Sequence, residues 1–184
     1  MEDTLINYSN DGYGYAKGID FIWKGNYKKF SGWISYGFLN SKRLWMDYEK
    51  FSSSDFDITH NFTAVIKYNF NFKYEIGINY KYATGKPMTP VIGSIYHTEM
   101  NVYEPVYGID NSSRQKDYQR LDIRFTYFTN LFNKYFTVLY MEGLNILNTK
   151  NIFGYSYNFD YTEKKEIESY FGRRLLVFGM QINL

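Results

Sequence analysis

Side chains that could do chemistry are scarce in this 184-residue chain. It has two histidines, His60 and His97, and no cysteine. His97-Thr-Glu99 sets an imidazole beside a carboxylate, but two ligands are too few for a zinc-type centre. Ser52, Ser53 and Ser54 stand shortly before His60. A nucleophile needs a base held against it and a third group to orient that base, and this spacing supplies neither. His60 opens an apolar alternating stretch and reads as an interfacial residue. No catalytic residue, metal ligand or cofactor is therefore assigned, and an enzyme is not expected. Two other sets remain. Asp20, Lys24, Lys67, Glu75, Lys81, Arg120, Asp122 and Arg124 recur on one side of extended stretches. Their mixed sign gives little net field for steering a solute, so mutual pairing is the favoured reading. Tyr96, Tyr103, Tyr107, Tyr155, Tyr157 and Tyr161 fall between those stretches. Such rings stack on a sugar or a chelate, or pack loops together, and both roles stay open. Substrate-binding residues remain unassigned.

The elements that must carry these side chains are strands. Side chains alternate across an extended strand, so a period of two marks one that separates two environments. In 171–184, Leu176, Phe178, Met180, Ile182 and Leu184 share one face, and Val177, Gly179, Gln181 and Asn183 share the other. Residues 60–70 set Phe62, Ala64, Ile66, Tyr68 and Phe70 against Asn61, Thr63, Lys67 and Asn69. Residues 74–84 set Tyr74, Ile76, Ile78, Tyr80 and Tyr82 against Glu75, Gly77, Asn79 and Lys81. Stretches 15–24, 30–40 and 120–130 follow the same rule, and 135–145 follows it more weakly. None has the three- and four-residue spacing of a helix.

Connections between these strands alternate in length. Residues 25–29, 71–73 and 131–134 are short turns, whereas 41–57, 85–118 and 146–170 are long and polar or mixed. Short turns on one side and long loops on the other is the layout of an outer-membrane β-barrel. Aromatic residues form 22% of the chain, with 21 Tyr and 16 Phe, which suits interfacial girdles. The mean hydropathy of −0.46 is compatible with this, because half of every barrel strand faces water. The net charge of +2, without a basic run, argues against a nucleic-acid partner. The expected fold is all-β: an antiparallel transmembrane barrel segment of about seven strands, its last strand ending in the periplasm. About seven strands leave an odd count, so the sheet is expected to stay open, with edges at 15–24, or the stub before it, and at 175–184. The eight charged residues named above are then lumen-facing candidates.

Several phrases then resemble a known family. The terminal strand resembles the signal strand that the barrel-assembly machinery reads on outer-membrane barrels, although that signal usually closes on Phe and this one closes on Leu184. Gly14-Tyr-Ala-Lys-Gly-Ile-Asp20 is similar to a strand opening of TonB-dependent receptors. Gly85-Lys-Pro-Met-Thr-Pro90 resembles their Gly-x-Pro-x-Thr-Pro phrase, Asn145-Ile-Leu-Asn148 their Asn-Leu-Phe-Asn/Asp phrase, and Ile152-Phe-Gly-Tyr155 extends the likeness. The resemblance implies that 1–184 is the C-terminal part of a 22-stranded barrel from Bacteroidota-like bacteria. It also implies a plug and a TonB-contacting segment, neither of them within these residues. Met1-Glu-Asp-Thr4 lacks the basic start and apolar stretch of an export signal, so a fragment or truncated reading frame is expected. The implied function is TonB-energised uptake of a bulky nutrient across the outer membrane: an iron chelate, an oligosaccharide or a peptide. Implied partners are outer-membrane lipid, the assembly machinery, TonB and a surface lipoprotein. A passive or structural barrel, such as a porin or adhesin, is the first alternative, and a soluble glycan-binding β-sandwich is the second.

Overall fold

A computed structural model describes residues 12–44, 50–169 and 172–183. Every regular element among them is a strand. The first four are β1 (Tyr13–Tyr27), β2 (Phe30–Leu44), β3 (Ser52–Ser53) and β4 (His60–Asn69). Then follow β5 (Tyr74–Ala83), β6 (Pro87–Met88), β7 (Val91–His97), β8 (Val102–Tyr107) and β9 (Ser113–Arg114). The last five are β10 (Tyr118–Leu131), β11 (Tyr135–Leu144), β12 (Ile152–Tyr157), β13 (Lys164–Glu168) and β14 (Leu175–Ile182). An 8-stranded antiparallel sheet runs in the order β1-β2-β4-β5-β10-β11-β14, with β3 added beside β2. It does not close into a barrel. β1 and β14 are the two ends of its main path of seven strands.

Register explains why these sequences form this sheet. Directly opposed residues of an antiparallel pair share a face. Phe21 opposes Tyr36, Tyr36 opposes Phe62, and Phe62 opposes Tyr82. Nearer the short turns, Ile66 opposes Ile78, Ile78 opposes Ile123, Phe125 opposes Met141, and Met141 opposes Phe178. The alternate residues of seven strands thus merge into one apolar face. A slip of one residue in any strand would put its apolar set among charges, so the pattern itself pins the register. Neighbouring rings add to this: Phe30–Tyr68 lie 4.6 Å apart and Tyr74–Tyr127 5.0 Å. Such pairs contribute about 0.5–1.5 kcal/mol each beyond their area.

The apolar face is not a buried core. No aliphatic or aromatic side chain large enough to anchor one is buried among the described residues, and Ile19 is 71% and Phe178 69% exposed. The buried side chains are instead Asp57, Asn111, Asp122, Thr126, Thr137, Asn145 and Asn151. Four of these, Asp57, Asn111, Asn145 and Asn151, lie in the connections, and Asp122, Thr126 and Thr137 lie on the sheet.

All three short turns lie at one end. Tyr27 pairs with Phe30, so β1 runs through the residues expected as a turn and only Lys28 and Lys29 form the bend. In the second turn the Asn71 side-chain oxygen accepts from Lys73 N and Tyr74 N. In the third, Phe132 and Asn133 both take positive φ. The long connections are less irregular than expected. β3 lies in the first; the second carries the β7–β8 hairpin and the β6–β9 ladder, and the third carries the β12–β13 hairpin. Leu184, the last residue expected of the terminal strand, lies outside the described residues, as does the stretch 4–8.

Candidate functional site

The register brings all eight charged candidates onto the face opposite the apolar one. Asp20 opposes Gly37, Lys24 opposes Trp33, and Lys81 opposes Arg120. Asn79 opposes Asp122, and Gly77 opposes both Lys67 and Arg124. Lys67 reaches Glu75 at 3.6 Å. Arg120 Nε donates to both Asp122 oxygens, at 2.7 and 2.9 Å, so it turns away from Lys81. Arg124 uses a residue that sequence reading missed: Glu142 on β11, at 4.0 Å. Its guanidinium also lies 3.7 Å from the Tyr140 ring centroid. That ring in turn covers Gly179, where a Cβ would overlap it, so a side chain there would displace the stack. Asp20, Lys24 and Lys81 make no ion pair among the described residues.

From this face a polar network climbs into the long connections. Asp122, 5% exposed, accepts from Asn145 N at 2.8 Å. Asn145 is fully buried with φ 50°. Its side chain donates to Thr149 O at 2.9 Å and Gly172 O at 2.6 Å, and accepts from Thr149 N at 3.1 Å. Asn tolerates the left-handed backbone and brings both donors and an acceptor, which is why it suits this strand exit. Asn148, also left-handed, accepts from Arg174 N at 3.1 Å. The Gly85 phrase has a similar physical basis. A Cβ at Gly85 would overlap the Gln115 carbonyl, and Gly85 N donates to Asp117 at 2.9 Å. Thr89 donates to Asp110 at 2.6 Å and accepts from Asn111 N at 3.1 Å.

These bonds stitch the three long connections into one layer. Asn111 Nδ2 donates to Ser53 O at 2.9 Å and Asp55 at 2.7 Å. Arg114 holds Asp57 through its backbone oxygen and its carboxylate, and reaches Gly85 O as well. From the third connection, Asn151 exchanges two bonds with the Gln119 backbone at the start of β10. Ser94 Oγ donates to Asp160 O at 2.7 Å, and Lys116 meets Glu166 at 2.6 Å. Glu166 holds the Lys116 ammonium above its ordinary pKa by hydrogen bonding and charge. The Thr162 hydroxyl and amide hold Asp160 below its ordinary value.

Of the six loop tyrosines, five have a ring or cation neighbour among the described residues. Tyr103 packs against Tyr96 at 4.9 Å and Phe159 at 5.5 Å, and Tyr157 against Tyr161 at 5.9 Å. Lys164 sits over Tyr155. Tyr96 and Tyr107 stay exposed, as do Ile92, Ile95 and Ile109 in the same connection. His97 meets Glu104 at 2.7 Å rather than the expected Glu99, because a hairpin brings 97 and 104 together. His60 Nδ1 bonds the Tyr36 hydroxyl at 2.9 Å, while Ser54 bonds Ser41 and Ser52 bonds Arg43 O.

No family model matches the chain, and neither the curated proteins nor the solved structures provide a match. The site is thus described by its geometry alone. It is a charged sheet face leading into a cross-braced polar rim that displays a few exposed rings.

Proposed function

We propose that this chain is C-terminal wall and surface loops of a TonB-dependent outer-membrane receptor, serving energised uptake of a bulky nutrient: an iron chelate, an oligosaccharide or a peptide. One observation carries the reading. Seven long antiparallel strands keep one continuous, exposed apolar face while the buried side chains are polar. In water that face would be a large cost; in hydrocarbon it meets its own solvent. The open edges support further strands, from the same polypeptide or another, because each unpaired backbone group in hydrocarbon costs about several kcal/mol. Short turns at one end and a braced loop layer at the other support periplasmic and extracellular placement respectively. In this reading the eight charged residues line the lumen, and Leu176, Phe178, Met180 and Ile182 belong to the strand recognised by the assembly machinery. The family assignment rests on the phrases at strand exits, whose residues have demanding backbone roles.

The test is fractionation followed by uptake. Epitope-tagged protein is expected in the outer membrane, with nutrient-dependent growth lost when TonB is deleted. Outer-membrane location with TonB-independent uptake would instead favour the passive or structural barrel. Partition into the aqueous phase of a detergent separation would sink both.

A further inference from the structure

We propose that the short-turn end is a docking surface for anionic phospholipid headgroups; this rests on the barrel reading above. The three turns read Tyr27-Lys-Lys-Phe30, Asn71-Phe-Lys-Tyr74 and Phe132-Asn-Lys-Tyr135. Each has at least one lysine, each has aromatic residues, and none has Asp or Glu. Lys28, Lys29, Lys73 and Lys134 are exposed, and none pairs with a carboxylate among the described residues. The acid that opens β5, Glu75, is engaged by Lys67 on the charged face.

The turns form one surface. Lys29 Nζ donates to Phe70 O at 2.8 Å, and Asn69 N donates to Lys29 O at 2.9 Å, joining the first turn to the second. Phe128 N donates to Lys73 O at 2.8 Å, joining the second turn to the part of β10 that leads into the third. Lys28 and Lys134 lie 5.2 and 4.9 Å from the ring centroids of Tyr27 and Tyr135. An amphipathic ring beside an ammonium suits the depth where acyl chain gives way to headgroup.

Two phenylalanines sharpen the assignment. Phe72 is fully exposed, and Phe132 is 84% exposed with φ 52°. A bulky side chain at positive φ is a backbone outlier, and an exposed ring makes few internal contacts to offset that. A lipid surface would take up both rings. The opposite end fits anions poorly, because its cations are interleaved with acids in pairs such as Arg114–Asp57, Lys116–Glu166 and Arg173–Glu168.

The test uses the intact protein, isolated with all the strands that complete its sheet. It is reconstituted in phosphatidylcholine bilayers with trace spin-labelled phosphatidylglycerol or spin-labelled phosphatidylcholine, and the immobilised fraction of each label is measured at low salt. The phosphatidylglycerol label should be held about threefold more strongly or better. The K28Q/K29Q/K73Q/K134Q variant should hold both labels equally, whereas Lys→Arg at the same four positions should keep the preference. K150Q/K164Q/K165Q, altered in the long connections, should keep it too. Equal retention by the unaltered protein, or a preference that survives loss of the four lysines, overturns the inference. So does a preference abolished by inorganic phosphate at matched ionic strength, which would assign the site to free phosphate. Lysine-dependent capture of an acidic protein without lipid selectivity overturns it as well. A protein that enters neither bilayer sinks the barrel reading together with this one; a protein that enters without selectivity sinks only this one.

Discussion

The two faces of the large sheet are built from the same strands yet obey opposite rules. On one, Ile66, Ile78, Ile123, Phe125 and Met141 stand in register and stay partly or largely exposed. On the other, Lys67, Glu75, Arg120, Asp122, Arg124 and Glu142 pair or stack, and Asp122 and Thr126 are buried. The difference teaches where each face finds its energy. Much of the polar face is held by side-chain partners, although Asp20, Lys24 and Lys81 make no ion pair among the described residues. The apolar face has only neighbours on its own sheet, and in the proposed reading lipid covers it.

Substituting arginine on either face should break the comparison most sharply. Ile78→Arg should destabilise the inserted protein by about 2–4 kcal/mol near the bilayer midplane, and Asn79→Arg by much less. Equilibrium unfolding from lipid vesicles measures both, and equal costs would contradict the two-face account. The next effect belongs to the polar network. Asn145→Ala strands the Thr149 amide and two carbonyls and should cost about 2–3 kcal/mol. Faster hydrogen exchange in 145–151 should report it, with β4 and β5 unchanged. Assembly should then separate the faces of the terminal strand. Phe178→Asp should reduce outer-membrane yield more than Gln181→Asp, since Phe178 opposes Met141 while Gln181 opposes Val138 on the charged face.

The smallest effect is a pH response in the β12–β13 turn. Asp160 is held below its ordinary pKa of 3.8 by hydrogen bonds from the Thr162 hydroxyl and amide. A lowered folded pKa means the contribution is present above 3.8 and fades as pH falls through the folded value. Amide exchange around Thr162 should quicken over that acidic range, and Thr162→Val should move the carboxyl back toward 3.8. An exchange profile that ignores Thr162→Val would remove Asp160 from the turn's support.

Much of the large sheet is legible in the sequence because a strand between two media must alternate. The runs 60–70 and 74–84 do so with few exceptions, and β4 and β5 fall within them. The small strands are hidden for the converse reason. β7 and β8 belong to a two-stranded hairpin with a register shift near Gly93 and with Pro105 within a strand, so no period of two survives. Partner identity is also hidden. Glu142 and Glu104 become partners of Arg124 and His97 only after strands pair, which spacing along the chain does not express. Asn145 looks like an ordinary turn former. Its burial depends on Asp122, Thr149 and Gly172 converging from different segments.

The central claim, that the apolar face meets lipid and the charged face meets water, can be read along one strand. Residues 1–184 contain no cysteine, so none of them needs replacing before single cysteines are introduced at 76 through 81. Each is placed in the outer-membrane protein and probed with a water-soluble thiol reagent and, after attaching a fluorophore, with a lipid-borne quencher. The account predicts strict alternation: 77, 79 and 81 react from water, and 76, 78 and 80 are quenched from lipid. Reactivity from water at 76, 78 and 80, or no alternation at all, would contradict it.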